Sequence, residues 1–276
     1  MLPIAQQVIK IIQEVSRKLV LPRFRQLKES EIKEKSPGNF VTIVDLEAEA
    51  FLKKKLINLI PGSLSIGEEE VETKPMLLEL LREDKPVWLL DPLDGTGNFA
   101  FGRKPFAIIV AYCFGGETLM GWVHDPLTGE TVWAGKGKGC WKGDKRLRLP
   151  NTPDLKDMTG SLGKRYAKRI KKFEGSPQNI RRLGCVGKDY IDLVLGNLNF
   201  ARYSFYLKPW DHAAGVLLHT EAGGHNHLFK ADRSYYPALM PEEAIANNEV
   251  MLLAPDMHTI KSIADLLNEK IDSKTK

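Results

Sequence analysis

Apolar residues along this 276-residue chain change period several times, and each change marks an element. Residues 4 to 26 carry apolar positions at helical spacing behind Pro3, residues 45 to 60 repeat that spacing, and Met76 to Arg82 hold a shorter version. Strand-like runs lie between them at Phe40 to Val44, Ser63 to Gly67 and Val87 to Leu90. The middle of the chain predicts an antiparallel meander: Phe106 to Phe114, a turn at Gly115-Gly116, Leu119 to Val123, a turn over Asp125 to Gly129, and Thr131 to Ala134. Beyond residue 150 helices and strands alternate over Lys164 to Lys172, Arg181 to Val186, Asp189 to Leu195 and Phe200 to Phe205. A helix opened by Trp210-Asp211 and stopped by Gly223-Gly224 follows. This order predicts a layered α/β protein, with an antiparallel sheet first and a second sheet after it. No repeat, low-complexity tract or long linker divides the chain. It reads as one domain over residues 1–276 or as two tightly joined subdomains with a seam at 149–153.

Composition narrows the class. A 43% hydrophobic content is enough for a large core, and no stretch approaches a membrane span. The start Met1-Leu-Pro-Ile-Ala-Gln lacks the pattern of a signal peptide, so a cytoplasmic location is expected. Cys113, Cys140 and Cys185 are odd in number and widely spaced, which predicts buried thiols rather than a disulfide framework or zinc knuckle. His212, His219, His225 and His227 match no standard zinc spacing. The net charge of +5 bunches in Lys164 to Lys172 and Lys53 to Lys55, read as solvated helix faces. These runs lack the interleaved aromatics of a single-strand platform, so nucleic acid is not the expected partner.

The candidate chemistry begins where the strand at Val87 runs into Asp91-Pro-Leu-Asp-Gly-Thr96. Two carboxylates emerge together there and repel unless a cation joins them. A hard divalent ion such as Mg²⁺ takes oxygen ligands and bridges carboxylates to phosphate. If Gly95 and Thr96 open a helical turn, their amides point at that phosphate. Further acids lie where apolar order gives way to polar: Asp45, Glu68 with Glu69 and Glu70, and Asp211. Plainer readings exist, since Asp, Pro and Gly are common turn residues and acids favour the first turn of a helix. Glu69 and Glu70 are read in that second way. The two residues between Asp91 and Asp94 disfavour an aspartyl-phosphate enzyme of the haloacid-dehalogenase type, whose acids are separated by one. Gly135-x-Gly-x-Gly139 is read as a hairpin turn, because no Lys-Ser/Thr follows it.

Taken in order, Asp45, Gly67-Glu68-Glu69, Asp91-Pro-Leu-Asp-Gly-Thr96 with Asn98-Phe99, Trp210-Asp211 and Glu221-Ala-Gly-Gly224 resemble the inositol monophosphatase family of Mg²⁺-dependent, lithium-sensitive phosphatases. The resemblance spans residues 35 to 224. It implies an αβαβα sandwich of the type shared with fructose-1,6-bisphosphatase, commonly as a homodimer. It also implies that Glu68, Asp91 and the Leu93 carbonyl hold one metal and that Asp91, Asp94 and Asp211 hold another, with two or three Mg²⁺ in all. Asp45 and Thr96 would orient the attacking water, Glu68 would join them in the catalytic set, and Lys35 would be the basic residue beside the metals. Gly95 and Thr96 would bind the phosphate.

Hydrolysis of a small polyol or sugar phosphate, such as inositol 1-phosphate, is the expected reaction, by water attack without a covalent intermediate. Substrate contacts depart from the inositol-hydrolysing pattern. Ser204 stands where those members carry a Glu, and Gly97 follows Thr96 in place of a second Thr. Lys188 and Asp189 bring charge to the other sugar-contacting turn and are expected, with Asp94, to read a different polyol or a second phosphate. Lys208 is expected to pair with an extra anionic group. Fructose 1,6-bisphosphate, 3′-phosphoadenosine 5′-phosphate and histidinol phosphate are alternative substrates. A metal-dependent regulatory protein associated with RNA polymerase is the alternative of another class.

Overall fold

A computed structural model describes residues 4–204, 207–237 and 249–269; Phe205, the end of the predicted strand from Phe200, and Pro3 lie outside them. Two sheets and three layers of helices alternate.

The first sheet has seven strands: β3 (Leu64–Gly67), β4 (Pro86–Asp94), β5 (Ala107–Phe114), β6 (Glu117–Asp125), β7 (Glu130–Gly135), β8 (Gly139–Lys142) and β9 (Lys145–Leu147), in that spatial order. Only β3 and β4 are parallel. The two-residue period sorts each strand between two cores. Trp88, Leu90, Ile108, Val110 and Tyr112 pack against helices α1 (Ala5–Val15) and α2 (Ile43–Leu59). Val87, Leu89, Ile109 and Ala111 pack against α6 (Val186–Leu195) and α7 (Pro209–Glu221) on the opposite face. Covering both faces is why these strands read as unbroken apolar runs instead of alternating ones.

A mixed five-stranded sheet forms the fourth layer, in the order β11 (Asn179–Arg181), β10 (Thr159–Ser161), β12 (Phe200–Ser204), β14 (Val250–Ala254), β13 (His225–Leu228). Ala201, Met251 and Leu253 meet Tyr190 and Val216 of the middle helices. Phe200, Leu252 and Ala254 face α5 (Lys164–Ile170) and α8 (Met257–Leu267). The layering is therefore the expected αβαβα. Helix α7 is apolar nearly all round because it lies between two sheets.

Several boundaries shift from the sequence expectation. The predicted helix over 4 to 26 continues past Val15 as a π-helical turn, Ser16–Val20, and a 3-10 turn, Leu21–Arg23. The predicted strand to Val44 stops at Thr42, the end of β2 (Asn39–Thr42), which pairs with β1 (Ile32–Ser36). Thr42 and Asp45 form a capping box, so Ile43 and Val44 belong to α2. Arg181 to Val186 is not one element: Arg181 ends β11 and Val186 begins α6. Met76 to Arg82 falls within a 3-10 segment, Pro75–Arg82. The three cysteines are buried and free, as predicted.

Candidate active site

The site forms where β3 and β4 end. Their parallel register pairs Gly67 with Leu90, so the residues that follow, Glu68 just beyond β3 and Asp91 still within β4, come side by side. Glu68 is the first residue of α3 (Glu68–Thr73). The β4–β5 ladder then breaks between Asp91 and Asp94, and Gly95, with φ of +85°, turns the chain into α4 (Thr96–Ala100). That left-handed conformation suits Gly, and a Cβ there would also crowd the Pro105 carbonyl at 3.0 Å. Asp211 arrives from the first turn of α7.

One carboxylate oxygen from each of Glu68, Asp91 and Asp211 lies within 4.8 Å of the others. Asp91 is only 2% exposed, and burial followed by the charges of Glu68, Asp94 and Asp211 raises its pKa well above the ordinary value. Asp211 is raised in the same way by burial and Glu68, and it hydrogen-bonds Asp91. Two carboxyl groups in contact, one of them buried, stay together only by sharing a proton or a cation. The donor set, hard oxygens in a tight group, fits a divalent metal.

Asp94 stands slightly apart. Its Oδ2 accepts from the Gly187 amide at 2.6 Å and the Cys185 thiol at 2.9 Å. Burial pushes its pKa up to about 6 while these donors pull it back. Its Oδ1 takes part in neither of these two bonds. The Leu93 carbonyl accepts from Thr96 Oγ1 at 2.9 Å, and Asp45 Oδ1 lies 2.9 Å from the same hydroxyl. One proton is shared between the two acceptors at best, and an ionised Asp45 is the stronger. Burial raises Asp45 to about 7, against the pull of Thr42 and Thr96.

Basic residues crowd the acids. Lys208 Nζ lies 2.8 Å from Glu68 Oε1 and 5.3 Å from the centre of the Trp210 ring, over its face. Lys35 pairs with Glu69 and Glu72 at 3.2 Å and lies 3.9 Å from Glu68. Glu69 and Glu70 are correspondingly not simply solvated: Glu70 pairs with Lys53 and Lys74.

A cavity of about 510 Å³ opens beside Asp94 and Asp211. Ser161, Asp189, Tyr203 and Ser204 line it, together with the basic Lys164, Arg165 and Arg182. Asp189 Oδ2 accepts from Ser161 at 2.7 Å and from Tyr203 at 3.3 Å, and its buried Oδ1 lies 3.9 Å from the Arg181 guanidinium. Lys188 does not line the cavity, because its ammonium is paired with Asp192 one turn along α6. Ser204 Oγ accepts from Arg202. Lys164 and Arg165, read as part of a solvated face, border the cavity instead.

Glu49 was not singled out by the sequence. It lies one turn after Asp45 on α2, and its carboxylate accepts from the amides of Glu69 and Glu70. The four-residue spacing from Asp45 was the available signal. The Gly135 to Gly139 turn also has an unforeseen partner: Glu221 accepts from the amides of Gly137 at 2.6 Å and Gly139 at 2.7 Å. Among the described residues no histidine belongs to a cluster that could hold a metal.

The sequence profile of the inositol monophosphatase family matches residues 3–266. A fructose-1,6-bisphosphatase/inositol-1-monophosphatase of Thermotoga maritima is 32% identical over 69% of this chain and 73% of its own. The Nus factor SuhB of Vibrio cholerae is 33% identical over 69% of this chain and 72% of its own. Among solved structures, an IMPase from Thermotoga maritima superposes with a TM-score of 0.77 at 26% identity, covering 95% of each chain. The chain belongs to the inositol monophosphatase family and is a phosphoric monoester hydrolase.

Proposed function

We propose that this protein hydrolyses a small polyol or sugar phosphate with Mg²⁺ held by Glu68, Asp91, the Leu93 carbonyl, Asp94 and Asp211. The observation that carries this reading is the convergence of three acids from three separate elements within 4.8 Å. When bound, such cations supply Lewis-acid charge to the phosphoryl oxygens and lower the pKa of a bound water. Asp45 accepts the Thr96 proton, which turns a lone pair of Thr96 toward the attacking water and orients it. The amides of Gly95 and Thr96, at the start of α4, hold phosphate oxygens. No protein nucleophile is needed.

The cavity supports a substrate with more than one polar end. Asp189, among the lining residues, suits a polar substrate group, while Lys164, Arg165 and Arg182 suit a second anionic group. Lys208 is a weaker choice for that group, being paired with Glu68. We take the chain to be one domain, since α6 and α7 pack against both sheets. A cytoplasmic homodimer is the expected state, with the half-buried, stacked Trp133 and Trp141 at its interface. No helix among the described residues is long and apolar enough to cross a membrane. A regulatory role through a partner is the second reading, favoured by the similarity to the Nus factor SuhB.

Phosphate release from inositol 1-phosphate, fructose 1,6-bisphosphate, 3′-phosphoadenosine 5′-phosphate and histidinol phosphate, with and without Mg²⁺, tests the proposal. Metal-dependent release is expected, strongest on bisphosphates, and Asp94→Asn is expected to keep the fold and lose most turnover. Near-normal activity in that variant would overturn the metal assignment. No release from any substrate would favour the regulatory reading.

A further inference from the structure

No step above uses Glu49, yet its surroundings are specific. It is 7% exposed on α2, four residues after Asp45, so both carboxylates leave the same side of that helix. Glu49 Oε2 accepts from the Glu69 amide at 2.8 Å and Oε1 from the Glu70 amide at 3.0 Å. Helix α3 has no side-chain cap of its own, because its N-cap is Gly67. A Cβ on Gly67 would lie 2.1 Å from Glu49 Cδ, so the carboxylate fills the space a side chain would take. The helix that begins with Glu68 is thereby tied at its first turn to the helix that carries Asp45.

We propose that Glu49 is a positioning residue for the metal site: its carboxylate clamps the first turn of α3 to α2 and so fixes Glu68 against Asp91 and Asp211. The proposal rests on the metal-site reading above. A neutral Ser or Asn at the N-cap would satisfy one of these amides without burying charge. A carboxylate grips two at once, which defines orientation as well as energy. It does so at a cost, since it is buried and faces the acids Glu69 and Glu70. Groups that hold metal ligands in place commonly carry such costs, and their loss weakens metal binding by roughly 10–100-fold.

Glu49→Gln tests this. It keeps the volume and one acceptor oxygen but turns an NH₂ toward an amide N–H. Two readouts are compared with the unaltered protein, below the unfolding temperature and with the fold checked by circular dichroism. One is the Mg²⁺ midpoint for phosphate release; the other is Mn²⁺ binding in the absence of substrate, followed by electron paramagnetic resonance. The expected result is weakening of both by roughly 10–100-fold, with substrate KM at saturating metal unchanged. A lowered Tm with unchanged metal affinity would make Glu49 a helix cap only and overturn the proposal. If Glu49→Gln does not fold, Glu49→Asp, which keeps the charge one methylene short, decides by the same measurement. Asp94→Asn run in parallel separates the two ideas: its full activity would sink the metal-site reading, whereas its inactivity beside normal metal affinity in Glu49→Gln would sink this one alone.

Discussion

Lys208 lies nearer than Lys35 to Glu68 and tempers the acid cluster at the level of single residues. Its pairing with Glu68 opposes the repulsion among Glu68, Asp91 and Asp211. Burial works against its charge, but Glu68 and Asp211 more than offset that and raise its pKa. A metal that takes Glu68 Oε1 competes with it. Lys208→Met keeps an unbranched side chain but removes the competing ammonium, together with its contact over the Trp210 ring. The Mg²⁺ midpoint is expected to fall by a factor of about three to ten, the equivalent of one partly buried ion pair worth about 1 kcal/mol. An unchanged or higher midpoint would show that Lys208 does not compete. The acids themselves were legible from sequence because each ends an apolar run in a polar turn. Glu49 was not, because nothing near it in sequence reveals the amides of Glu69 and Glu70 that it grips.

Helix α7 joins chemistry to scaffold at the level of elements. Its first turn delivers Asp211, and its last residue, Glu221, holds the β7–β8 turn through two amides. The run Gly135-x-Gly-x-Gly139 resembles an anion-binding loop, and an anion does occupy it, supplied by the protein itself. Glu221→Ala leaves the part-buried Gly139 amide without its charged partner while water can reach Gly137. The expected loss is about 1–2 kcal/mol in chemical denaturation, with turnover per folded molecule unchanged. A loss of turnover without loss of stability would place Glu221 in the reaction instead. The close seating of α7 has its own sequence requirement. A Cβ on Gly121 of β6 would lie 2.7 Å from the Ala214 backbone, so only glycine lets helix and sheet meet there.

The whole molecule stores its site charge at a cost that metal can relieve. Burial raises Asp94 to about 6 and Asp45 to about 7, and raises Asp91 and Asp211 as well. A carboxyl group raised on folding binds its proton more tightly in the folded state than in the unfolded chain. Its penalty is therefore absent below the ordinary carboxylate value and grows as pH rises through the folded one, from about 4 to about 7. His212 and His219, lowered to about 3 by burial, act oppositely, their stability being lost as pH falls below 6.5. Those histidines contribute equally with and without metal. The rise in Tm on adding Mg²⁺ is thus expected to be small at pH 5 and full above pH 7, since binding must first release protons. A pH-independent rise, measured by calorimetry, would show that these carboxyls are not the ligands.

The amino-acid sequence by itself determined the alternation of elements, the order of the two sheets, the burial of the cysteines and the principal acids of the site. These depend on local period and on residue types whose chemistry is visible one segment at a time. Tertiary structure decided the rest. The parallel register that sets Glu68 beside Asp91, the pairing of Lys208 with Glu68 and of Lys188 with Asp192, and the seating of Lys164 at the cavity all join distant segments or depend on which way a helix faces. Where helix α2 begins was decided by a side-chain hydrogen bond between Thr42 and Asp45 that an apolar pattern does not encode. Period reports which face of an element is buried, but not which groups of another element wait there.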